Sequence, residues 1–190
     1  MGVSRQTATF GIDDYMLWEA EQSERHEYLN GEVFAMTGAR DAHNTIAGNL
    51  FATLRSSLRG SPCRIYIADM KLRVDSVDAV FYPDVMVTCD PRDRAAEADL
   101  AKRHPTLLVE VLSESTAAYD RGLKFERYRA IEALREFLLI EQDRRHVDLF
   151  RRENDGRWVL ESHGPGGGFE LASLGVALTL DDLYADVEMA

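Results

Sequence analysis

The segment TLLVEVLS, residues 106–113, constrains the fold more than any other part of the chain. It is a nearly continuous apolar run of strand length, the pattern of a β-strand that is covered on both faces. One carboxylate, Glu110, stands in the middle of this run. Such a carboxylate is costly to desolvate unless it is paired, protonated or bound to a metal ion. Alternatively, this face of the strand opens to solvent, or an arginine pairs with Glu110. The segment therefore predicts a central buried strand that carries a candidate functional residue.

Periodicity and turn signals predict that helices and strands follow one another along the rest of the chain. Asn30-Gly31, within the strand-like segment 26–37, is a strong signal for a two-residue hairpin. Asp41 is a candidate N-cap for a helix that runs to about Leu58. Helices are also predicted at 12–24 and about 120–133, and further strands at 64–74, 81–89, 136–143, 146–153 and 157–162. These elements predict a single α+β domain over residues 1–190, with a mixed central β-sheet flanked by helices and an N-terminal β-hairpin.

The composition is that of a globular protein with an acidic surface. The 22 Lys and Arg residues against 33 Asp and Glu residues give a net charge of −11, which argues against a general polyanion-coating protein. Cys63 and Cys89 lack the spacing of metal ligands, and we expect two reduced thiols. No apolar run approaches the roughly 18 residues of a membrane span, and the first residues lack the apolar region of a secretory signal. We therefore expect a cytoplasmic protein with no membrane partner.

Basic stretches interrupt this acidic pattern at defined places. Arg55 and Arg59 lie in segment 42–64, which contains no acidic residue, and Arg121 and Arg127 lie in a second basic stretch. If a nucleic acid binds, these four arginines are the candidates for contact with its backbone. The alternative is that both stretches are solvated faces of the protein.

Asp84 is a second carboxylate in a strand-like segment, directly after Pro83. Together with Glu110 it would form a hard-oxygen site suited to Mg²⁺ or Mn²⁺, or a general acid and base that work without metal. Lys124 follows Glu110 by one loop, and a lysine beside two carboxylates and a metal ion fits phosphoryl chemistry. The alternative for Lys124 is a surface pair with Asp120 at i,i+4 spacing.

Five segments of the chain resemble the Uma2 family, also named DUF820. They are ERHEYLNGEVFAMTGARDAHNTIAGNL (24–50), YPDVMVTCD (82–90), PTLLVEVLSEST (105–116), DRGLKFERYR (120–129) and EFLLIEQDRRHVDLFRR (136–152). The segments cover most of the chain in the family's order, and the EVLS-x-ST block followed by D-x-x-x-K is the most specific of them.

The resemblance implies a restriction-endonuclease-like fold of the PD-(D/E)XK nuclease superfamily. It makes Asp84 the aspartate of the PD motif and Glu110 the acidic residue of the second motif, both metal ligands. Leu112 stands where the superfamily usually has its lysine, and Lys124 is the candidate for a migrated lysine. An ammonium far from both carboxylates would contradict this hypothesis.

Three further residues are secondary candidates for the same site. Glu32 could add a carboxylate, His43 could contact a metal-bound water or a phosphate, and Asp120 lies one turn before Lys124. For His43 the alternative is a histidine that packs on the sheet edge at the start of a helix.

We therefore expect a metal-dependent endonuclease that hydrolyses nucleic acid, with DNA as the expected substrate and a divalent cation, Mg²⁺ or Mn²⁺, as cofactor. A homodimer is expected by analogy, because two sites could then address two strands. Two alternatives stay open: a catalytically inactive nuclease-fold module that binds or assembles, and a hydrolase that uses the two carboxylates on another substrate.

Overall fold

Two six-stranded mixed sheets and a two-stranded sheet form the strand framework of the computed structural model, which describes residues 5–7, 10–36 and 38–189. The mixed α+β class predicted from the sequence is confirmed, but the strands are divided between two large sheets where one central sheet was expected.

The first sheet has the strand order β1-β3-β2-β6-β5-β8. Its neighbours pair antiparallel except β5 and β8, which are parallel. Its strands are β1 (Arg5–Thr7), β2 (His26–Leu29), β3 (Glu32–Ala35), β5 (Lys71–Val74), β6 (Ala79–Phe81) and β8 (Ala101–Lys102).

The second sheet has the order β12-β11-β10-β9-β7-β4, and its strand β9 is the apolar strand predicted from segment 106–113. Strands β9 and β10 pair in parallel and the others antiparallel. Its strands are β4 (Arg64–Ile67), β7 (Val85–Thr88), β9 (Leu107–Leu112), β10 (Glu136–Glu141), β11 (Val147–Arg152) and β12 (Trp158–His163). All six residues of β9 are buried, as its continuous apolar pattern predicts. A separate hairpin pairs β13 (Gly168–Leu171) with β14 (Val176–Thr179).

Helices pack against both large sheets. They are α1 (Ile12–Glu19), α2 (Asp41–Ser57), α3 (Ala117–Tyr119), α4 (Phe125–Tyr128) and α5 (Leu180–Leu183). Helix α1 packs on the first sheet through Tyr15, and helices α2 and α4 lie on opposite faces of the second sheet. Helix α2 packs Ile46, Leu50 and Leu54 against one face of the second sheet. Tyr128 of α4 packs on the opposite face, in the apolar layer that also receives Phe81 of the first sheet. No helix in the described part of the chain has the length and apolar character needed to cross a membrane.

Three helix predictions are corrected at their ends. The helix predicted over 12–24 ends at Glu19, and the N-cap of α2 is Arg40, with Asp41 as its first helical residue. The helix predicted over about 120–133 begins at Ala117 and ends at Tyr128, and it includes a π-helical turn, Asp120–Lys124, between α3 and α4. Such turns insert an extra residue into a helix and rotate the side chains that follow.

The hairpin predicted at Asn30-Gly31 joins β2 to β3. Both turn residues have positive φ, 49° and 84°, as a type I′ turn requires.

We expect Gly31→Ala to lower the free energy of unfolding by about 1–2 kcal/mol, because a Cβ disfavours this left-handed conformation. Urea denaturation measures the change. The matched control is Gly48→Ala in α2, where a Cβ meets nothing within 4 Å and should raise stability by about 0.5–1 kcal/mol. Equal effects of the two substitutions would contradict the turn assignment.

Two predicted strands each prove to be two strands that belong to different sheets. Segment 64–74 divides at Ala68, whose φ is 56°, so that β4 lies in the second sheet and β5 in the first. Segment 81–89 divides at Tyr82-Pro83-Asp84, so that β6 lies in the first sheet and β7 in the second. Pro83 has no N–H for a strand ladder, which favours the break at this point. The chain therefore crosses from one sheet to the other within each of these two segments.

The expectation of two reduced thiols is wrong, because Cys63 and Cys89 form a disulfide. The antiparallel register of β4 and β7 places Arg64 opposite Thr88. Cys63, one residue before Arg64, therefore faces Cys89, one residue after Thr88. Sequence spacing cannot show this pairing, since it depends on the register of two strands in a sheet.

Candidate active site

Asp84 lies where segment 81–89 crosses from the first sheet to the second, directly before β7. Its backbone oxygen accepts a hydrogen bond from the N–H of Ala68, 2.9 Å away, which ties the two crossings together. Its carboxylate is also held at both oxygens. The N–H of Val111 donates to Oδ2 at 2.7 Å, and Nε2 of His43 lies 3.0 Å from Oδ1. Asp84 is therefore oriented toward β9 by contacts from two other elements.

Glu110 occupies the middle of β9 and is 4% exposed. Its neighbours at i−2 and i+2, Leu108 and Leu112, lie in the apolar layer between the sheets, so alternation directs Glu110 to the same face. Two groups contact its Oε1: the hydroxyl of Tyr128 donates at 2.7 Å, and Nζ of Lys124 lies at 2.9 Å. The carboxylate in the apolar strand is thus paired with a lysine and not with an arginine.

Lys124 is buried at the end of the π-helical turn, with 4% of its surface exposed. Its Nζ lies 2.9 Å from Oε1 of Glu27 as well as 2.9 Å from Glu110, and 3.7 Å from Oδ1 of Asp120. The ammonium of Lys124 therefore lies beside Glu110, and its role as a migrated lysine stays a prediction. The contact with Asp120 is not the exposed surface pair considered as an alternative, because both side chains are buried.

Glu27 and Tyr128 belong to this cluster and were missed in the sequence analysis. Glu27 lies on β2 and is 8% exposed, which makes it a third buried acid that contacts or neighbours Lys124. The alternation of β2 carried a signal for it, because Glu27 and Leu29 share one face of the hairpin. Tyr128 lies on the apolar side of α4, and nothing in the sequence places its hydroxyl at Glu110.

The buried charges shift one another's protonation. Burial raises the pKa of Glu110 well above its usual range; Lys124 opposes this rise, and Asp84 adds to it. Burial also raises the pKa of Asp120. For Lys124, burial alone would lower the pKa, but the carboxylates of Glu110 and Glu27 hold it well above its usual range. The contacts with Glu110 and Glu27 therefore favour the charged form of Lys124, which donates hydrogen bonds.

The secondary candidates are placed unequally around this cluster. His43 contacts Asp84, and Asp120 lies beside Lys124. Glu32 begins β3 opposite Leu29, on the face of the hairpin that also carries Glu27. The roles assigned to all three stay predictions.

The donor set fits a divalent cation of the Mg²⁺ type. Among the described residues no group of three or more His, Cys, Asp and Glu side chains is arranged to hold a metal ion. Mg²⁺ does not need such a cage, because it is usually bound by one or two carboxylates, with waters and substrate phosphates as the other ligands. Asp84 and Glu110 supply two carboxylates of this kind, and Lys124 and Tyr128 both contact the same oxygen of Glu110.

The structure does not gather the four candidate arginines at this site. Arg121 pairs with Asp148 at 2.6 Å and with Glu141 at 2.5 Å. Arg55 and Arg59 are exposed at the far end of α2, with Arg55 roughly 18 Å along the helix from His43 at 1.5 Å per residue. Nε of Arg127 is buried with no hydrogen-bond partner in the described part of the chain. Contact of these arginines with nucleic acid stays a prediction.

The arrangement of strands matches that of a solved nuclease-like protein. The crystal structure of a "putative nuclease belonging to DUF820" from Anabaena variabilis superposes with a TM-score of 0.74, over 93% of this chain and 98% of that one. The two sequences are 17% identical, so this likeness establishes the fold alone.

The chain belongs to the Uma2 family, whose description reads "Putative restriction endonuclease". The family model matches residues 12–182. Two relatives come from Synechocystis sp., the uncharacterized proteins slr1290 and sll1609. The first is 37% identical over 172 residues, 90% of each chain, and the second is 33% identical over 160 residues, 84% of this chain and 90% of that one. The expected homodimer and cytoplasmic location stay predictions.

Proposed function

We propose that this Uma2 chain is a nuclease that depends on Mg²⁺ or Mn²⁺ and hydrolyses phosphodiester bonds, with DNA as its substrate. The observation that carries the proposal is the buried contact of Lys124 with Glu110, beside Asp84. Two acids and a lysine are the set that the restriction-endonuclease-like resemblance implies, with the lysine supplied by the helical segment and not by position 112. The family's description and the printed name of the Anabaena protein support the same class of activity.

Asp84 and Glu110 would hold the cation. Restriction-endonuclease-like proteins generally use divalent cations, and a bound cation activates a water molecule and neutralises charge on the phosphate. Burial raises the pKa of Glu110, and the neighbouring carboxylates of Asp84, Asp120 and Glu27 add to this rise, so a positive ligand would stabilise the charged form of Glu110.

The other residues of the cluster would position these groups and stabilise charge. Lys124 is a fixed ammonium that can donate to the attacking water or to a phosphate oxygen as negative charge develops. Tyr128 orients Glu110, and His43 and the N–H of Val111 orient Asp84. None of these roles needs a lysine at position 112.

Cleavage by the purified protein tests the proposal. Supercoiled plasmid, single-stranded DNA and RNA are each incubated with Mg²⁺, with Mn²⁺ and with a chelator. We expect DNA cleavage with the cations and none with the chelator. An identically purified Glu110→Gln variant controls for contaminating nucleases. It keeps the acceptor for Tyr128, leaves Lys124 paired with Glu27, and should cleave roughly 10²–10³-fold more slowly.

Two outcomes would contradict the nuclease proposal. Equal cleavage by wild type and Glu110→Gln would assign the activity to a contaminant. No cleavage of any substrate with either cation would favour the inactive nuclease-fold module, and the search would turn to binding partners.

A further inference from the structure

A pocket of about 500 Å³ lies beside the edge strands of both large sheets, away from the cluster around Glu110. Strand β4 is the last strand of the second sheet, and β8 is the last strand of the first. The charged and aromatic side chains that line the pocket are Arg64, Tyr66, Asp93, Arg94, Asp99 and Lys102.

Lys102 is the unusual residue of this pocket, because its ammonium is buried without an acidic partner. The side chain is 4% exposed, and Nζ donates to the carbonyl of Ala98 at 2.6 Å and lies 5.1 Å from the ring centre of Tyr66. Among the side chains that the structure describes, no carboxylate is within 4.0 Å of it. Lys124, the other buried lysine of the described residues, has three acids around it. An ammonium has three donors, so Lys102 can bind a further acceptor.

Two arginines add positive charge at the mouth of the pocket. Arg64 donates to the carbonyl of Cys63 at 3.2 Å, and Arg94 donates to the carbonyl of Pro62 at 3.3 Å. Neither guanidinium forms an ion pair within the described part of the chain, and each has donors left for a planar anion.

The acids of the pocket do not neutralise these three cations. Asp93 is 1% exposed, and its carboxylate accepts from the Thr88 hydroxyl and from the N–H groups of Arg103 and His104. Asp99 is exposed. The pocket has three cations against two acids, and the carboxylate of Asp93 is already bound by Thr88, Arg103 and His104. The pocket therefore favours an anion.

The pocket lies on the face of the second sheet that carries Glu110. Tyr66 packs against the apolar layer between the sheets, and the register of β4 and β7 places it opposite Met86, two residues after Asp84. Two residues along a strand and one strand across correspond to a Cα separation of roughly 8 Å. At about 3.4 Å per nucleotide, a strand that reaches Asp84 could place another phosphate, about two to four nucleotides away, in this pocket.

We infer that the pocket formed by Lys102, Arg64 and Arg94 binds a phosphodiester group of the nucleic-acid chain outside the bond that is cleaved. The inference rests on the proposed function, because the nuclease activity is the reason to name nucleic acid, and not free phosphate, as the ligand. The chemistry is shared by both sources, since either presents phosphate oxygens to an ammonium and two guanidinium groups.

Binding of DNA by the full chain tests the inference without any cleavage. Fluorescence anisotropy follows a labelled 20-nucleotide DNA, single-stranded and as a duplex, in chelator and over a range of salt concentrations. We expect Lys102→Met to weaken binding about 10-fold and to lower the salt slope by about one unit, because one phosphate contact is lost. The matched control is Arg157→Gln, which removes an exposed charge beside β12, at the opposite edge of the second sheet, and should change Kd less than about twofold.

A second variant guards against misfolding, and a second ligand separates the two sources of phosphate. Arg64 and Arg94 are exposed, so the double substitution to glutamine should keep the fold and also weaken DNA binding. Unchanged DNA affinity in both variants, or no DNA binding by wild type, would overturn the inference. Calorimetry with inorganic phosphate that shows binding lost in Lys102→Met, with DNA affinity unchanged, would assign the pocket to free phosphate and also overturn it.

The outcome for this pocket is separate from the outcome for cleavage. A wild-type protein that binds DNA through Lys102 but cleaves nothing with Mg²⁺ or Mn²⁺ would refute the nuclease and support the pocket. A protein that cleaves DNA while Lys102→Met binds it normally would support the nuclease and refute the pocket.

Discussion

Replacing Asp84 by asparagine is expected to slow cation-dependent DNA cleavage by about 10³-fold, which corresponds to about 4 kcal/mol of transition-state stabilisation. Asparagine has the same shape and keeps an acceptor for the N–H of Val111, which lies 2.7 Å from Oδ2 of Asp84. It removes the negative charge and one hard-oxygen ligand, so the expected loss comes from cation binding and not from a change of fold. Single-turnover cleavage rates in saturating Mg²⁺ measure the effect, and calorimetric titration with Mn²⁺ measures cation affinity.

The matched control for Asp84→Asn is Asp181→Asn. Asp181 is an exposed acid that pairs with Arg145 at 2.9 Å, so its substitution also removes one negative charge. Cleavage rate and cation affinity should stay within about twofold of wild type, because exposed pairs contribute little. If Asp84→Asn kept the wild-type rate while it folded normally, the assignment of Asp84 as a metal ligand would be wrong.

Strand β9, the residue Glu110 within it and the hairpin at Asn30-Gly31 could be predicted because their signals are local. The apolar run of β9 predicts a strand buried on both faces, and the polar residue within it, Glu110, therefore marks a site. Asn30-Gly31 predicts its hairpin because type I′ turns need positive φ at both positions. The interpretation of Lys124 as a migrated lysine came from a resemblance to a family, since no local pattern shows that a lysine on a helix replaces one on a strand.

The remaining contacts depend on how distant segments meet, and sequence spacing does not contain that information. The division of segments 64–74 and 81–89 between two sheets sets Asp84 at a crossing, yet each segment has the pattern of one strand. Glu27 reaches Lys124 across 97 positions of sequence, and its role follows only from the packing of the first sheet on the helical segment. The disulfide depends in the same way on the register of β4 and β7.

The substitution Lys124→Met is expected to lower the free energy of unfolding at neutral pH by about 3–5 kcal/mol, because it leaves buried carboxylates without their cation. Nζ of Lys124 is the shared partner of Glu110 and Glu27 at 2.9 Å each. Since burial raises the pKa of Glu110 even with the lysine present, its removal should raise that pKa further. A group whose pKa is higher in the folded state than in the unfolded state stabilises the fold when it is protonated, and this stability is lost as the pH rises through the folded pKa. The destabilisation by Lys124→Met should therefore be smaller at pH 5 than at pH 8.

Chemical denaturation of wild type, Lys124→Met and the double variant Lys124→Met/Glu110→Gln at both pH values tests this argument. Glutamine removes one of the unpaired charges, so the double variant should be more stable than the single one at pH 8, with a smaller difference at pH 5. The matched control is Lys102→Met, which removes the other buried ammonium but leaves no carboxylate unpaired among the described side chains. Its effect on the free energy of unfolding should be the same at pH 5 and at pH 8. An equal, pH-independent loss in both lysine variants would mean that Lys124 stabilises the fold by packing alone. In that case the charge of Lys124 would not stabilise the carboxylate of Glu110, and the ion pair on which the proposed site depends would be refuted.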